Sequence, residues 1–582
     1  MKKKFVSQSA FLNPRILVGV CIVLAGVFLA LTGLGAFTAL AQVRQRQRII
    51  TNSKDPLVPN GFDCSKIHEL GIDRQENMRA GAIMIACGLS EGGRPFHGSG
   101  VSKFVQRLMS PVSYGGTDVD LITRTETSPN VTQSETYTTA NPDDPTQIFV
   151  AYNDSRGRNF NPVNVSGGSF STDGGTTFTR LTKANGQSPF DNTAGDPVVL
   201  FHKASGNWLT VWIDLACGGQ GLGGYKSTTP GDPNSWTHFC VFNEGSADRE
   251  SGWVENNPSS PFFGRLYISW NDFNMVDGAL METFSTDGGA TWSTPTTVSN
   301  TGIFIQDVQI TGDMSGNGTV YIAGMDEGGG GFPHNDENLI FKSTDGGVTF
   351  TNTYTGPPFP GPGVTSVGYF AQIFNANGGY WRHLGWGEPA AFNNVVHLVY
   401  DQHGTGSDPA DVYYIRSTDG GVTFSAPMKL NTDSTDRPNW QPNLSVSPTG
   451  TLFATWYDAR ESTDSDCSYG NPGSPCYRMW SRKSNDNGVS WLPDDMLSDV
   501  ISPLPAQPDP GIQPTYAGDY DYGTGIATKH LTSWTDGRVA INNTSQQDAF
   551  TDRELLTATP TPTPPQRPTP TPRPRPTPFP RP

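Results

Sequence analysis

Short apolar strands, each followed closely by an aspartate, recur along most of this chain. Each run is rich in β-branched and aromatic residues and is about the length of one β-strand. The copies end at Asp154, Asp214, Asp272, Asp326, Asp401, Asp458 and Asp536. Seven similar units along residues 115–555 predict an all-β repeat protein with one repeated sheet per unit.

A second repeat, Ser-x-Asp-x-Gly-x-x-aromatic, lies between these strands. Its five strong copies place aspartates at Asp173, Asp287, Asp345, Asp419 and Asp486, and a degenerate copy spans Ser227 to Trp236. Asp-Gly-Gly between strands predicts a hairpin turn, because glycine tolerates positive φ and the carboxylate accepts backbone N–H bonds. We therefore expect these aspartates to be structural.

The spacing of the second repeat predicts a β-propeller. Successive copies lie 56 to 74 residues apart, the size of one four-stranded blade with variable loops. The seven strand units favour seven blades, and six is the alternative. The segment Asp118–Thr123 is a candidate extra strand for closing the ring.

The two ends of the chain differ from the repeats. Residues 1–41 carry basic residues, an apolar run and Ala39-Leu40-Ala41, which predict a cleaved signal peptide, with an uncleaved membrane anchor as the alternative. Residues 42–114 predict a linker and a small helical segment, with Asp73 and Glu76 as a capping box. Residues 556–582 repeat Thr-Pro and Arg-Pro, which predicts an extended, disordered tail.

Cysteine spacing and charge agree with export. Outside the apolar run, neighbouring cysteines predict three disulfides: Cys64–Cys87, Cys217–Cys240 and Cys467–Cys476. Metal binding is the alternative, but no C-x-x-C motif or His/Cys cluster supports it, so no metal site is expected. Calcium at Asp464 and Asp466 is a weak possibility, since their spacing fits no EF-hand. A net charge of −16 argues against nucleic acid as a partner.

The Ser-x-Asp-x-Gly-x-x-Trp/Phe box resembles the bacterial neuraminidase repeat of the sialidase-like propellers. The resemblance covers residues 115–555 and implies an Asp-box propeller fold. It also implies an exo-sialidase-like glycoside hydrolase, with three arginines holding a substrate carboxylate and a Tyr nucleophile activated by Glu. Thr123 to Ser171 lacks the Arg-Ile-Pro tripeptide that sialidases carry ahead of the first box. Fold alone does not fix activity.

Three of the strand ends read Asp-x-Arg, and they carry the main binding hypothesis. They are Asp154-Ser-Arg156, Asp458-Ala-Arg460 and Asp536-Gly-Arg538. They belong to the first, sixth and seventh units, which adjoin in a closed ring of seven, so three guanidiniums could hold an anionic glycan there. The alternative is that each Arg pairs with its own Asp, two residues away on the same side of the strand.

The sequence offers few candidates for catalytic residues. Tyr516 with Glu388 or Glu255 could form a Tyr/Glu pair, and Asp458 could serve as an acid. We therefore predict a secreted or cell-surface monomer that binds or hydrolyses glycans. The termini could associate with the membrane or cell wall. The alternative function is a non-catalytic adhesion or protein-interaction propeller.

Overall fold

A computed structural model gives the fold of most of the chain. It describes residues 49–94, 114–123, 126–275, 278–299, 304–330, 332–375, 380–462, 475–542 and 544–556. The predicted signal or anchor, the proline-rich tail, Asp464, Asp466 and Cys467 lie outside these described residues. Among the residues described, no helix has the length and apolarity needed to span a bilayer.

The described chain is nearly all β, as predicted, and its strands form successive four-stranded antiparallel sheets. The short strand β1 (Val119–Asp120) comes first in the chain. Sheet 1 contains β2 (Gln133–Ala140), β3 (Ile148–Gly157), β4 (Asn164–Ser171) and β5 (Thr179–Arg180). Sheet 2 contains β6 (Val198–His202), β7 (Asn207–Asp214), β8 (Gly221–Ser227) and β9 (Thr237–Phe242). Sheet 3 contains β10 (Ala247–Val254), β11 (Leu266–Asp272), β12 (Ala279–Ser285) and β13 (Thr296–Ser299).

The next sheets repeat this order. Sheet 4 contains β14 (Ile305–Gly312), β15 (Val320–Asp326), β16 (Asn335–Ser343) and β17 (Thr351–Thr355), and β18 (Phe359–Pro360) pairs with β16. A three-stranded insertion follows as β19 (Thr365–Val367), β20 (Phe370–Phe374) and β21 (Tyr380–His383). Sheet 5 contains β22 (Glu388–Phe392), β23 (Val395–Gln402), β24 (Asp411–Ser417) and β25 (Met428–Lys429). Sheet 6 contains β26 (Asn439–Val446), β27 (Leu452–Asp458), β28 (Cys476–Ser484) and β29 (Asp495–Met496), with β30 (Ser502–Pro503) paired to β28.

The last sheet joins the two ends of the described chain. After β31 (Asp521–Tyr522), sheet 7 contains β32 (Thr524–Gly525), β33 (Lys529–Asp536) and β36 (Asp548–Leu555). The short strands β34 (Ala540–Ile541) and β35 (Thr544–Ser545) pair with each other between β33 and β36 in the chain. Strand β1 completes sheet 7 by pairing with β36, so that Val119 faces Thr551. First strands contact each other in the order β2, β6, β10, β14, β22 and β26, and β32 and β33 of sheet 7 return the contacts to β2. Sheets 1 to 7 of the described residues are thus joined through their first strands in a closed cycle of contacts.

The second strand of each sheet is buried because it lies between neighbours on both sides. Strand β27, Leu-Phe-Ala-Thr-Trp-Tyr-Asp, is buried at every position, and Trp456 within it is fully buried. Burying a large aromatic side chain contributes on the order of 2–3 kcal/mol relative to leaving it exposed. These are the apolar runs from which the sequence predicts the repeat.

Residues 49–94, which we name the roof, hold the one α-helix of the described chain. Helix α1 spans Met78–Cys87 and ends at Gly88, which adopts a left-handed conformation with φ 75°. The predicted cap at Asp73 is wrong: Asn77 caps the helix, because its Oδ1 accepts from the Ala80 N–H at 2.8 Å. The predicted disulfides Cys64–Cys87 and Cys217–Cys240 are both present.

The roof is packed onto the sheets. Ile67, Met78 and Ile83 share one apolar cluster with Val165 of β4 and Ile213 of β7. The cluster anchors the roof over the face where the first strands begin.

Candidate functional site

Four charged residues in the first strands or just before them have left-handed backbone conformations and meet at the ring axis. They are Glu135, Asp196, Arg249 and Asp307, with φ between 51° and 64°. Three of them lie in β-bulges, where the register shifts between Ser134/Tyr137, Asp248/Ser251 and Gln306/Gln309. A bulge turns a side chain away from its normal direction in the sheet. Such strained non-glycine residues cluster at functional sites.

A tyrosine and a second arginine join this group. Asn153 donates one side-chain hydrogen bond to Glu135 and another to the Tyr516 hydroxyl at 2.8 Å. Arg382 donates to both carboxylate oxygens of Asp519, with its Nε at 2.8 Å from Oδ1. The Arg382 guanidinium also lies 5.0 Å from the centre of the Tyr516 ring. We name the whole group the funnel cluster: Glu135, Asn153, Asp196, Asp248, Arg249, Asp307, Arg382, Tyr516 and Asp519.

The roof covers the funnel cluster and bonds to it directly. Asp248 accepts from the Glu76 N–H at 2.9 Å and from the Asn77 side-chain amide at 2.7 Å. The Glu76 carboxylate lies 3.2 Å from Arg249 Nη1, and its backbone carbonyl accepts from Arg382. Two consecutive roof residues therefore supply bonding partners to Asp248, Arg249 and Arg382.

Burial changes the proton affinity of the cluster. It raises the pKa of Glu135 well above its usual range, and the nearby carboxylates of Asp196 and Asp519 raise it further. Burial also raises the pKa of Asp248 to about 6 and that of Asp307 to about 6. Burial raises the Tyr516 pKa as well, and the neighbouring Glu135 adds to the effect. The carboxyls of Glu135, Asp248 and Asp307 consequently keep their protons to higher pH than exposed carboxyls, and a neutral carboxyl can donate a hydrogen bond.

The predicted arginine clamp is built differently from a shared anion site. Arg156 lies 3.2 Å from Asp154, and Asp154 also binds Arg180 at 2.8 Å. Arg460 contacts Asp458 at 2.7 Å. Arg460 also contacts Asp494 at 2.9 Å. Arg538 contacts Asp536 and Asp118, both at 2.7 Å. Each guanidinium is thus held by its own carboxylates, and the joint clamp stays a prediction.

The four catalytic candidates lie in different surroundings, except that Glu255 and Glu388 line the same cavity. Tyr516 belongs to the funnel cluster, whereas Asp458 is in the ion pair with Arg460. Glu388 begins β22 and lines a cavity further along the axis. The carboxyl group that neighbours Tyr516 is Glu135, which sequence reasoning missed. A polar run at the start of β2, Gln-Ser-Glu-Thr, was the available signal.

The aspartates of the repeated boxes make turn hydrogen bonds. In the first box, Asp173 Oδ1 accepts from the Thr177 N–H at 2.9 Å and from the Ser171 hydroxyl at 2.9 Å. The Thr177 hydroxyl also donates to Asp173. Burial opposes ionisation of Asp173, but these hydrogen bonds, of which that from the Thr177 side chain has the largest effect, lower its pKa to about 2. The same contacts recur at Asp287, Asp345, Asp419 and Asp486.

One group of three potential metal ligands occurs in the described part of the chain. It consists of Cys217, His238 and Cys240. The two cysteines form a disulfide, so they do not offer thiolates.

Comparison with known proteins returns structural similarities at low identity and at TM-scores below 0.5. No protein-family model and no curated protein matches the chain. Among solved structures, a protein of unknown function from Dyadobacter fermentans DSM 18053 is similar at 13% identity and TM-score 0.39, over 76% of this chain and 98% of that one. A polysaccharide lyase of family PL25, an ulvan lyase, is similar at 11% identity and TM-score 0.38, over 74% and 93%. The Penicillium chrysogenum alpha-L-arabinanase is similar at 13% identity and TM-score 0.30, over 53% and 92%. Similarity at this level does not indicate a shared activity.

Proposed function

We propose that the protein is an exported Asp-box propeller, with the seven sheets as blades, that binds or hydrolyses carbohydrate at the funnel cluster. One observation carries the proposal: left-handed bulge residues aim buried acids and an arginine at the ring axis, where Tyr516 and Arg382 join them. Perturbed ionisable groups gathered in a concave position are typical of functional sites. Export rests on the N-terminal sequence, and the two disulfides agree with it.

The donors and acceptors of the cluster suit a ligand that carries many hydroxyl groups. Asn153 and Arg382 donate hydrogen bonds, Asp519 accepts them, and Glu135 in its neutral form does both. Aromatic faces lie beside the charges, since Arg249 stacks over Trp386 and Tyr520 at 4.7 and 4.2 Å from their ring centres. A sugar ring presents hydroxyls at its edge and an apolar face, so it matches both kinds of surface.

Hydrolysis, where it occurs, would use Tyr516 and Glu135. The sialidase-like resemblance implies a tyrosine nucleophile with a glutamate that takes its proton. In the closed state, burial raises the pKa of both groups, which disfavours both the tyrosinate and the glutamate base. Opening the roof would admit water, lower the cost of charge at both groups and prepare the pair for reaction.

The closed roof also favours a second candidate, a non-catalytic interaction propeller. Glu76 and Asn77 occupy the cluster in the folded chain, and both are buried. If the roof is a permanent part of the fold, the cluster is a structural polar core. Partners would then contact the outer surface of the sheets.

Hydrolysis assays with a loosened roof separate these candidates. The substrates are 4-methylumbelliferyl glycosides, a sialoside among them, and the proteins are the intact chain and an Asn77→Ser/Arg79→Gln variant. This variant loses the Asn77 side-chain bond to Asp248 and the Arg79 bond to Gln220, whereas the Glu76 N–H bond to Asp248 remains. Glu91→Gln, at an exposed roof position paired only with Arg94, is the matched control.

We expect faster turnover, or retention on immobilised glycans, in the loosened variant and not in the control. Adding Tyr516→Phe should abolish turnover and leave folding intact. Absence of both turnover and glycan retention in every variant would reject the carbohydrate proposal and favour the interaction propeller.

A further inference from the structure

A cavity of about 370 Å³ lies on the ring axis. Its lining comes from the first strands of all seven sheets, from Tyr137 in β2 to Ile526 after β32. Most of these residues lie toward the ends of those strands, although Glu388 is the first residue of β22, whereas the roof bonds to residues at the beginnings of the strands. The cavity therefore opens toward the face of the Asp-box turns, opposite the roof. Its volume falls in the range of small-molecule sites.

Two polar groups at the deep end of the cavity lack protein partners. Glu388 is 6% exposed, and among the described residues no hydrogen bond or ion pair reaches its carboxylate. Tyr522 is also 6% exposed, and its buried hydroxyl has no hydrogen-bond partner. Buried polar groups are normally bonded, and leaving one unbonded costs about 1–3 kcal/mol. Water or a bound ligand would complete these groups.

Two aromatic rings lie beside the carboxylate. The rings of Tyr137 and Tyr522 are 4.8 Å apart between their centres, with 56° between their planes. The Tyr137 hydroxyl donates to the Gly252 carbonyl at 2.9 Å, which fixes that ring against β10. Phenol rings near a buried carboxylate attract cations through their faces.

The charges facing Glu388 are mostly negative. Asp307 and Asp521 are carboxylates, and Arg249 is the one base among the three. Arg249 is already bound to Asp307 at 3.0 Å and lies 3.2 Å from Glu76. Asp521 accepts from Tyr457 at 2.6 Å and from Thr136. Burial raises the pKa of Glu388 well above its usual range, and Asp307 raises it further, while Arg249 acts in the opposite direction.

We propose that this cavity binds an organic ammonium ion, with the nitrogen held by Glu388, the Tyr522 hydroxyl and the two tyrosine rings. The rest of the ligand is an aliphatic chain, because aliphatic side chains line the cavity alongside polar residues such as Thr139 and Gln309. The aliphatic lining comprises Leu200, Val254, Ile310, Leu444, Val446 and Ile526. The site adjoins the funnel cluster at Asp307 and Arg249, but it does not depend on the proposed carbohydrate function.

An anion or a neutral molecule fits less well. An anion would oppose ionisation of Glu388, Asp307 and Asp521, because like charges repel strongly in buried surroundings. A neutral alcohol would accept a hydrogen bond from the protonated carboxyl but would not favour its ionisation. An ammonium ion provides a partner for both groups and offsets the charge of the ionised Glu388 carboxylate.

Binding of the ammonium ion is coupled to proton release. The free site holds Glu388 in its protonated form to unusually high pH, and the bound cation favours the carboxylate. Each bound ammonium therefore displaces up to one carboxyl proton, which passes to the buffer. The ligand keeps its own protons, and no bond within it changes.

Calorimetric titration with n-hexylamine tests the proposal. 1-Hexanol is the neutral control and hexanoate the anionic one, all at pH 7 in two buffers of different ionisation enthalpy. Variants are Glu388→Gln, Tyr522→Phe and the matched control Glu255→Gln. Glu255 also lines the cavity, but its carboxylate already accepts from the Asn257 N–H at 3.1 Å.

We expect n-hexylamine to bind with proton release and at least tenfold more tightly than 1-hexanol. Glu388→Gln should weaken the amine at least tenfold and abolish the proton release, and Glu255→Gln should leave affinity within twofold. Hexanol binding as tightly as the amine, equal affinities in the wild type and Glu388→Gln, or no proton release would each overturn the proposal. If Glu388→Gln does not fold, Tyr522→Phe and the two-buffer measurement on the wild type decide.

Discussion

Asn77 is the residue whose substitution tests the roof most sharply, because its side chain makes two separable bonds besides a longer one to Gln75 at 3.2 Å. Its Oδ1 caps helix α1 at 2.8 Å from the Ala80 nitrogen, and its Nδ2 donates to Asp248 at 2.7 Å. Losing the helix cap costs about 1 kcal/mol. Removing the buried donor to a carboxylate costs about 1–3 kcal/mol. Asn77→Ala should therefore loosen the roof by about 2–4 kcal/mol.

A serine at this position separates the two effects. Asn77→Ser retains a capping oxygen but cannot reach Asp248, so it should lose only the about 1–3 kcal/mol of the buried bond. Hydrogen exchange, read by mass spectrometry on helix α1, is the assay. At tenfold for every 1.4 kcal/mol, helix amides should exchange about 30- to 700-fold faster in Asn77→Ala and about 5- to 150-fold faster in Asn77→Ser.

Strand β27 supplies the internal reference for this experiment. It is buried at every position and has no contact with Asn77, so its amides should exchange at the wild-type rate. Unchanged exchange of helix α1 in Asn77→Ala would refute the argument that these bonds hold the roof. Equal acceleration of helix α1 and β27 would refute local opening, since it would mean that the whole fold is destabilised.

Further predictions concern pH, the turns and the ion pairs. Burial raises the pKa of Asp248 to about 6 and that of Asp521 to about 7, above the ~3.9 of an unfolded aspartate. The stability that these two carboxyls contribute is therefore present below pH ~4 and is lost as the pH rises through ~6 to 7. Scanning calorimetry should accordingly give a lower Tm at pH 8 than at pH 5, and the opposite order would contradict the assignment. Asp345→Ala removes the acceptor for Ser343 and Thr349 and should lower the free energy of unfolding in urea by about 1–2 kcal/mol. The matched control Asp436→Ala, at an exposed position, should cost almost nothing. Equal losses in the two variants would argue against a structural Asp box. Arg460→Ala leaves Asp458 buried without its ion pair and should cost about 3–5 kcal/mol, and unchanged stability with lost glycan retention would instead support the clamp.

The repeat itself was predictable from sequence because it follows from local rules. Strand runs such as Leu452–Asp458 and turns such as the one at Asp173 carry their own patterning and turn chemistry. The all-β character and the first two disulfide pairings could therefore be predicted. The helix start could not, since both Asp73 and Asn77 are good caps and tertiary contact with Asp248 accompanies the choice of the second.

The candidate site was mostly beyond sequence reasoning. Asp248 accepts a hydrogen bond from Glu76, which lies 172 residues away in the sequence, and no local sequence pattern predicts such a contact. The left-handed conformation of Glu135 arises from a bulge within a closed ring of sheets rather than from the preference of glutamate. The Asp-x-Arg motifs predict an anion site because three arginines recur at strand ends, yet Arg156 and its counterparts bind carboxylates of the protein.

The most direct test of the proposed site is a crystal structure of the Asn77→Ser/Arg79→Gln variant with a glycan that a binding screen selects. We predict that the sugar lies where Glu76 and Asn77 lie in the closed chain, with hydroxyls bonded to Arg382 and Asp519. A glycan bound on the outer surface of the sheets, with the funnel cluster still covered by the roof, would contradict the account.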